Sequence, residues 1–295
     1  MPFEQAYRIH SLHAQVHAHH LGVAVRSLRS CGVEPILAKG WSIASRYPEP
    51  GLRPYGDIDM CVRPDQHAAA LTALGDTPTE PKNHPVLTTF GVDLHASFLD
   101  LSDRPFEELH LRARILSVGD TSVRVLSLED HLRLICLHFL RHGAWRPLWL
   151  CDIGLFLESL PQGFDWDLCL RGRARHVEQI ACALGLAGAV LGAVLPDSPV
   201  SRRAISLPRW LRSAMLEQWS KRYERYTGAP FARYLATRRG IIPALRRRWP
   251  NPIEATVSVD GPFNEAARLP FQLADSLQRG WRFAVASRTD LNRSA

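Results

Sequence analysis

Two aspartates, Asp57 and Asp59, flank one isoleucine at the start of the hydrophobic segment DIDMCV. Side chains alternate along a β-strand, so both carboxylates are expected on one face, with Ile58 and Met60 on the other. Two carboxylates a few ångströms apart repel each other unless a cation or a proton lies between them. Mg2+ relieves this repulsion, because it prefers oxygen ligands and often bridges them to substrate phosphates. The pair therefore indicates a metal site, with a solvent-facing strand edge as the alternative.

A third carboxylate, Asp93, lies in the middle of the short hydrophobic segment GVDLHAS. The same alternation predicts that His95 lies on the same face as Asp93. If this strand is a neighbour of the DIDMCV strand in one sheet, the three aspartates converge.

The segment LAKGWS precedes the paired aspartates and predicts a turn between a buried strand and a helix. Gly40 allows a ligand to approach the backbone, and the free amide groups of a helix N-terminus attract phosphate oxygens. Ser42 adds a hydroxyl donor, and Lys39 is expected either to reach phosphate oxygens or to be the solvent-facing end of the strand. Arg53, ahead of the DIDMCV strand, is expected either to contact phosphate or to pair with an acid.

These residues must be positioned by an α/β half that covers residues 1–126. Its predicted elements are a helix from Phe3 to Ser30, followed by strands at VEPILA, DIDMCV, VLTTF and GVDLHASFL and a hairpin at ARILSVGDTSVRVLS. The segment SLED then predicts a helix N-terminus, with Ser127 as the N-cap and Asp130 three residues later. From there to residue 295 the patterns are helical, at 128–141, 147–160, 165–177, 178–195, 207–226 and 230–248. The sequence thus predicts an α+β protein with a small mixed sheet, followed by an all-helical domain at 127–295.

The ordered pieces resemble the nucleotidyltransferase superfamily, whose minimal fold is polymerase-beta-like. More narrowly, they resemble the family of uncharacterised nucleotidyltransferases, whose members read approximately LKG…Y…RPxGDID…VDLH. The matching residues are Ala38-Lys39-Gly40, Tyr47, Arg53-Pro54, Gly56-Asp57-Ile58-Asp59 and Val92-Asp93-Leu94-His95. Two later family motifs match at Leu137-His138 and at Trp149-Leu150-Cys151-Asp152.

This resemblance implies an enzyme that uses Mg2+, with Mn2+ as the alternative ion, and an NTP such as ATP. It implies that Asp57, Asp59 and Asp93 are the metal ligands and catalytic residues, with Asp93 also helping to deprotonate the acceptor hydroxyl. Gly40 and Ser42 would contact the β- and γ-phosphates. Further candidates for nucleotide contact, each with a structural role as the alternative, are Lys39, Arg53 and His95. One departure is Trp41, which stands where the superfamily usually has serine, so that the serine of this chain, Ser42, comes one residue later.

The composition and charge bear on partners and location. The formal net charge is +7, and residues 201–250 hold 13 Lys or Arg against two acidic residues, Glu217 and Glu224. This region favours an anionic partner, RNA included, or is a solvated Arg-rich surface. The N-terminus is polar, the six cysteines form no CxxC pair, and the apolar segment 180–195 is short for a membrane span, so we expect a cytoplasmic protein.

The function predicted from the sequence is transfer of a nucleoside monophosphate from NTP to an acceptor, with release of pyrophosphate. The acceptor is a hydroxyl or phosphate, with a peptide or small molecule favoured and a protein or RNA still open. The alternative is a non-catalytic scaffold that binds nucleotide or peptide in a biosynthetic pathway. The preferred NTP, the acceptor and the oligomeric state are not determined by the sequence.

Overall fold

The computed structural model describes residues 2–54, 56–75, 91–220 and 249–293. The described residues fall into two compact units, one within 1–135 and 152–172 and the other within 136–151 and 173–295. The predicted strand VLTTF, the predicted helix 230–248 and most of the basic 201–250 region lie outside the described residues.

The first unit contains a mixed five-stranded sheet. Its strands are β1 (Ile36–Ala38), β2 (Ile58–Cys61), β3 (Val92–His95), β4 (Arg114–Val118) and β5 (Thr121–Val125). They lie in the order β3-β2-β1-β5-β4. β1 is antiparallel to β2 and parallel to β5, β2 is parallel to β3, and β4 and β5 form the predicted hairpin. The predicted α+β class with a small mixed sheet is therefore confirmed.

Alternation along the strands gives the sheet two apolar faces. One face, which includes Leu37, Ile58 and Met60, packs against the first helix, α1 (Pro2–Ser30), through residues such as Leu28. The opposite face packs against a separate cluster of side chains, Ile36, Ala38, Cys61, Phe98, Leu101, Leu109, Leu126 and Leu134. Burial of each such side chain contributes about 1.5–3 kcal/mol, and this burial fixes which face each strand residue occupies.

The other α-helices among the described residues are mostly short. They are α2 (Gly40–Ala44), α3 (His67–Ala73), α4 (Phe106–Arg112), α5 (Leu128–Arg141), α6 (Pro147–Glu158), α7 (Trp166–Leu170), α8 (Ala174–Leu191), α9 (Ser201–Ile205), α10 (Arg209–Ser220) and the helices Pro252–Ser258 and Leu269–Arg293. The predicted N-cap of α5 is confirmed, since Ser127 Oγ accepts a hydrogen bond from the Asp130 amide at 3.1 Å.

The apolar segment 180–195 lies largely within α8, in which every residue from Glu178 to Ala187 is buried. The helix ends at Gly192, which adopts the left-handed conformation (φ 73°) that commonly closes a helix. None of the helices in the described ranges has the length and apolarity required to cross a bilayer.

Candidate active site

Strand register brings two of the predicted aspartates together. β2 and β3 pair in parallel with Asp59 opposite Asp93 and Cys61 opposite His95. The Asp59 side chain is 6% exposed, because it points to the same sheet face as the buried Cys61, whereas the Asp93 side chain at the sheet edge is 47% exposed. The condition that these two strands are neighbours in one sheet is met, and it places a buried and an accessible carboxylate, Asp59 and Asp93, side by side.

His95 lies between the two carboxylates. Its Nε2 atom is 3.2 Å from Asp93 Oδ2 and 3.4 Å from Asp59 Oδ1. Nε2 is nevertheless buried without a hydrogen bond of acceptable angle to any described residue, so the oxygens lie at ion-pair distance but outside the N–H direction. Burial disfavours the protonated ring, but the two carboxylates outweigh it and raise the pKa of His95 to about 9.

Lys39 supplies the second positive charge at this position. Its Nζ atom donates to Asp59 Oδ1 at 2.6 Å. Burial alone would raise the pKa of Asp59, but His95 and Lys39 together outweigh that effect and lower it. Asp59 is therefore held as a carboxylate by two neighbouring cationic side chains.

The backbone of Lys39 has an unusual conformation, with φ 49° and ψ −147°. A non-glycine residue in such a region costs about 1–3 kcal/mol and persists only when its surroundings hold it there. Here the amide of Lys39 donates to His131 Nε2 at 3.0 Å, and its carbonyl accepts from the Ser42 hydroxyl at 2.7 Å and the Ile43 amide at 3.2 Å. Strained backbones of this kind are concentrated at functional sites.

His131 is a residue of this site that the sequence reasoning missed. It is 1% exposed, and burial together with the positive charges of Arg46 and Arg114 lowers its pKa to about 3. The neutral ring can therefore accept the Lys39 amide proton at Nε2, which assigns the ring proton to Nδ1. Its place in the first turn of α5, after the SLED cap, indicates burial, but no sequence signal identifies its partner 92 residues away.

Gly40 and Ser42 have defined places in the turn. Gly40 has φ +31°, and a Cβ atom there would lie 3.0 Å from the carbonyl oxygen of Asp57, so glycine permits the turn to pack on the segment before β2. The Ser42 side chain is buried and its hydroxyl donates to the Lys39 carbonyl. In this conformation Ser42 stabilises the turn, and its contact with phosphate stays a prediction.

Asp57 precedes β2, which begins at Ile58 and not at Asp57 as the segment DIDMCV predicted. The residue is exposed, in contrast to the buried Asp59. Its carboxylate does not join Asp59 and Asp93 in a group of close ligand atoms. The role of Asp57 as a metal ligand accordingly stays a prediction.

Arg53 is engaged by an acid. Its Nε and Nη2 atoms donate to the two carboxylate oxygens of Asp152 at 2.9 and 2.8 Å, with the side chains 5% and 1% exposed. Tyr47 donates to the same carboxylate at 2.8 Å. Of the two expectations for Arg53, pairing with an acid is the one observed here, and contact with phosphate stays a prediction. His138, from the other later motif, packs against the rings of His142 and Trp149.

The cluster has the composition of a metal site. One ligand atom from each of Asp59, Asp93 and His95 lies within 4.8 Å of the others. Ligands at about 2.1 Å from one ion are at most about 4.2 Å apart, so a small inward movement is sufficient. The buried Nε2 atom of His95 would become the third donor once the ring gives up its proton, which binding of a divalent ion in place of the two positive side chains favours. Two carboxylates and one imidazole suit Mn2+ and related transition metals as well as Mg2+.

Comparison with known proteins places the chain in a family. A sequence model described as uncharacterised nucleotidyltransferase matches residues 1–192. The chain therefore belongs to the uncharacterised nucleotidyltransferase family, as its motifs indicated. A search of curated proteins finds no match. Among solved structures, an antigenic nucleotidyltransferase-like protein from Paracoccidioides brasiliensis aligns with 68% of this chain and 97% of its own, at 16% identity and a TM-score of 0.43.

Proposed function

We propose that this protein is a metal-dependent nucleotidyltransferase that moves a nucleoside monophosphate from NTP to an acceptor hydroxyl or phosphate. The observation that carries the proposal is the pairing of Asp59 and Asp93 on adjacent parallel strands, with His95 between them, in a member of a nucleotidyltransferase family. Such a transfer needs little covalent chemistry from the protein, because positioning and charge stabilisation accomplish most of it.

In this proposal Asp59, Asp93 and His95 hold a divalent ion, and Asp57 adds a carboxylate from the start of β2. The bound ion would neutralise the developing charge on the triphosphate and orient it for in-line displacement. The burial of Asp59 favours this role, because a carboxylate that is 6% exposed is poorly hydrated and gains strongly from a cation.

Residues of the turn would receive the triphosphate. The Lys39 ammonium is a flexible, compact charge that can contact phosphate oxygens. Gly40 is buried beside it and packs against the Asp57 carbonyl, so it would shape the turn that receives the triphosphate. The family motif supports both residues in the nucleotide site. The buried contacts of Ser42 and Arg53 support an indirect role for them, in which they shape the turn and the segment before β2.

The more exposed carboxylate, Asp93, would face the acceptor. At 47% exposure its side chain is open to a second substrate. A carboxylate placed beside the attacking hydroxyl can take its proton as the bond to the α-phosphorus forms and pyrophosphate leaves.

The test is to incubate the protein with NTP labelled at the α- or the γ-phosphate, together with host lysate and Mg2+ or Mn2+. Nucleotidyl transfer predicts that only the α-label enters a macromolecule or metabolite and that pyrophosphate is released. Asp59→Asn should reduce the transfer to background, whereas the matched variant Asp65→Asn, at an exposed ion pair with Arg63, should retain it.

Transfer of the γ-label instead would show a kinase-type reaction and refute the proposal. Nucleotide binding without transfer of either label would favour the non-catalytic scaffold.

A further inference from the structure

Two buried or partly buried ion pairs in the first unit differ in construction. Arg53 and Asp152 form a bidentate pair with side chains 5% and 1% exposed, and a tyrosine completes it. Lys39 and Asp59 make a single contact at 2.6 Å, and the lysine side chain retains 18% exposure. The first pair is buried and held by several hydrogen bonds, so it is expected to be stable. The second joins a flexible, partly accessible ammonium to one oxygen of a carboxylate in the candidate metal site.

The strained backbone concentrates any movement of Lys39 in its side chain. His131 holds the Lys39 amide, and Ser42 and Ile43 hold its carbonyl. The four-carbon stem can therefore rotate while the attachment point stays fixed. A fixed anchor with a mobile charge allows the ammonium to leave Asp59 without rearrangement of the turn.

Asp59 Oδ1, which accepts from Lys39 Nζ, also lies 3.4 Å from His95 Nε2 within the candidate metal group, so the ammonium and a divalent ion would compete for the same carboxylate. Two cations at one partly buried oxygen repel each other strongly, because the local dielectric constant is low. The Lys39 ammonium and a divalent ion therefore cannot both bind closely to the Asp59 carboxylate.

We propose that Lys39 is an exchangeable internal cation. It neutralises Asp59 in the metal-free protein, yields the carboxylate when a divalent ion binds, and then contacts the triphosphate. This inference rests on the proposed function, because it takes Asp59 as a metal ligand and a triphosphate as the substrate. Its consequence is that the ion and the nucleotide strengthen each other's binding, since each favours the displaced position of Lys39.

The first measurement is the affinity for Mn2+ in the absence of nucleotide. It is determined from the electron paramagnetic resonance signal of the unbound ion. Lys39→Met removes the competitor and should bind Mn2+ about tenfold more tightly, which corresponds to about 1.4 kcal/mol. Lys39→Arg keeps the charge and should stay within about threefold of the unmodified protein. Arg63→Met, which removes a charge at an exposed ion pair with Asp65, is the control for a general change in charge.

The second measurement is the affinity for a non-hydrolysable triphosphate at saturating Mn2+. Lys39→Met should bind it about tenfold more weakly, because the displaced ammonium is missing. Opposite changes in the two affinities are the specific signature of exchange. Thermal unfolding of each variant checks that it is folded.

Unchanged or weaker Mn2+ binding by folded Lys39→Met would overturn the exchange while leaving the metal site intact. Equal tightening of Mn2+ binding by Arg63→Met would overturn it as well, since the effect would be one of net charge. Absence of Mn2+ binding by every variant would refute both the exchange and the metal site of the proposed function. These results distinguish failure of this inference from failure of the function on which it rests.

Discussion

The ion pair between Arg53 and Asp152 offers the sharpest prediction about stability. Asp152→Ala removes a carboxylate that accepts from two guanidinium nitrogens and a tyrosine hydroxyl at 2.8 to 2.9 Å. It leaves an arginine side chain with 5% exposure and without its counter-charge. Loss of one partner from a buried pair costs about 3–5 kcal/mol, because the remaining charge is still desolvated. At about 2–4 °C per kcal/mol, the unfolding midpoint should fall by about 10 °C.

Two further variants separate the parts of this effect. Tyr47→Phe removes one hydrogen bond and keeps the ion pair, so the expected loss is about 0.5–1.5 kcal/mol. The double variant Arg53→Met with Asp152→Leu removes both charges and should recover most of the stability lost in Asp152→Ala.

The assay is unfolding in urea, monitored both by tryptophan fluorescence and by far-ultraviolet circular dichroism. Agreement between the two signals is needed before a single free energy is assigned, because the described residues form two compact units. An Asp152→Ala protein within 1 kcal/mol of the unmodified chain would refute the reasoning, since the guanidinium would then have found water or another partner.

Three other predictions concern the turn, the buried histidine and the thiols. Gly40→Ala should destabilise the protein by at least about 1 kcal/mol in urea unfolding, because φ is +31° and the new Cβ would meet the Asp57 carbonyl oxygen at 3.0 Å; a neutral effect would mean that the turn is easily rearranged. Below pH 6.5 His131 is protonated in the unfolded chain but stays neutral in the folded chain, where its pKa is about 3. Between about pH 6.5 and pH 3 this difference should lower the free energy of unfolding by about 1.4 kcal/mol for each pH unit of acidification. In His131→Asn the slope of the unfolding free energy against pH should decrease by the contribution of one proton over that range. An unchanged slope would contradict the assignment of a buried, neutral His131. Iodoacetamide at pH 8 with peptide mapping should modify the exposed thiols, Cys31 and Cys151, before the buried ones. Burial raises the pKa of three of the four buried thiols to about 12, and early labelling of any of these three would count against the fold; they are Cys61, Cys169 and Cys182.

The parts of the fold that depend on local interactions are predictable from sequence. Ser127 and Asp130 bond to each other across three residues, so the SLED signature correctly placed the start of α5. Alternation in GVDLHAS placed Asp93 and His95 on one face, and the register with β2 then brought Asp59 beside them. The strand start at Ile58 shows the limit of this reasoning, because the end of a strand depends on its pairing partners.

The interactions missed by sequence reasoning join distant residues. The Arg53–Asp152 pair spans 99 residues and the Lys39–His131 bond spans 92. Each is made by residue types that are common on any surface, so the sequence offers several possible partners and no means to choose. The order of the five strands has the same origin, since β1 pairs with β5 across most of the first unit.

The most direct test of the account is the coordination of Mn2+ bound to the protein, examined by electron spin-echo envelope modulation. If the ion is bound by Asp59, Asp93 and His95, the spectrum should show modulation from a directly bound imidazole nitrogen. His95→Gln should abolish this modulation. Asp59→Asn should weaken the binding itself, and the exposed control Asp65→Asn should change neither signal. Tight Mn2+ binding without nitrogen modulation, retained in Asp59→Asn, would contradict the account, because the ion would then lie outside the cluster formed by β2 and β3.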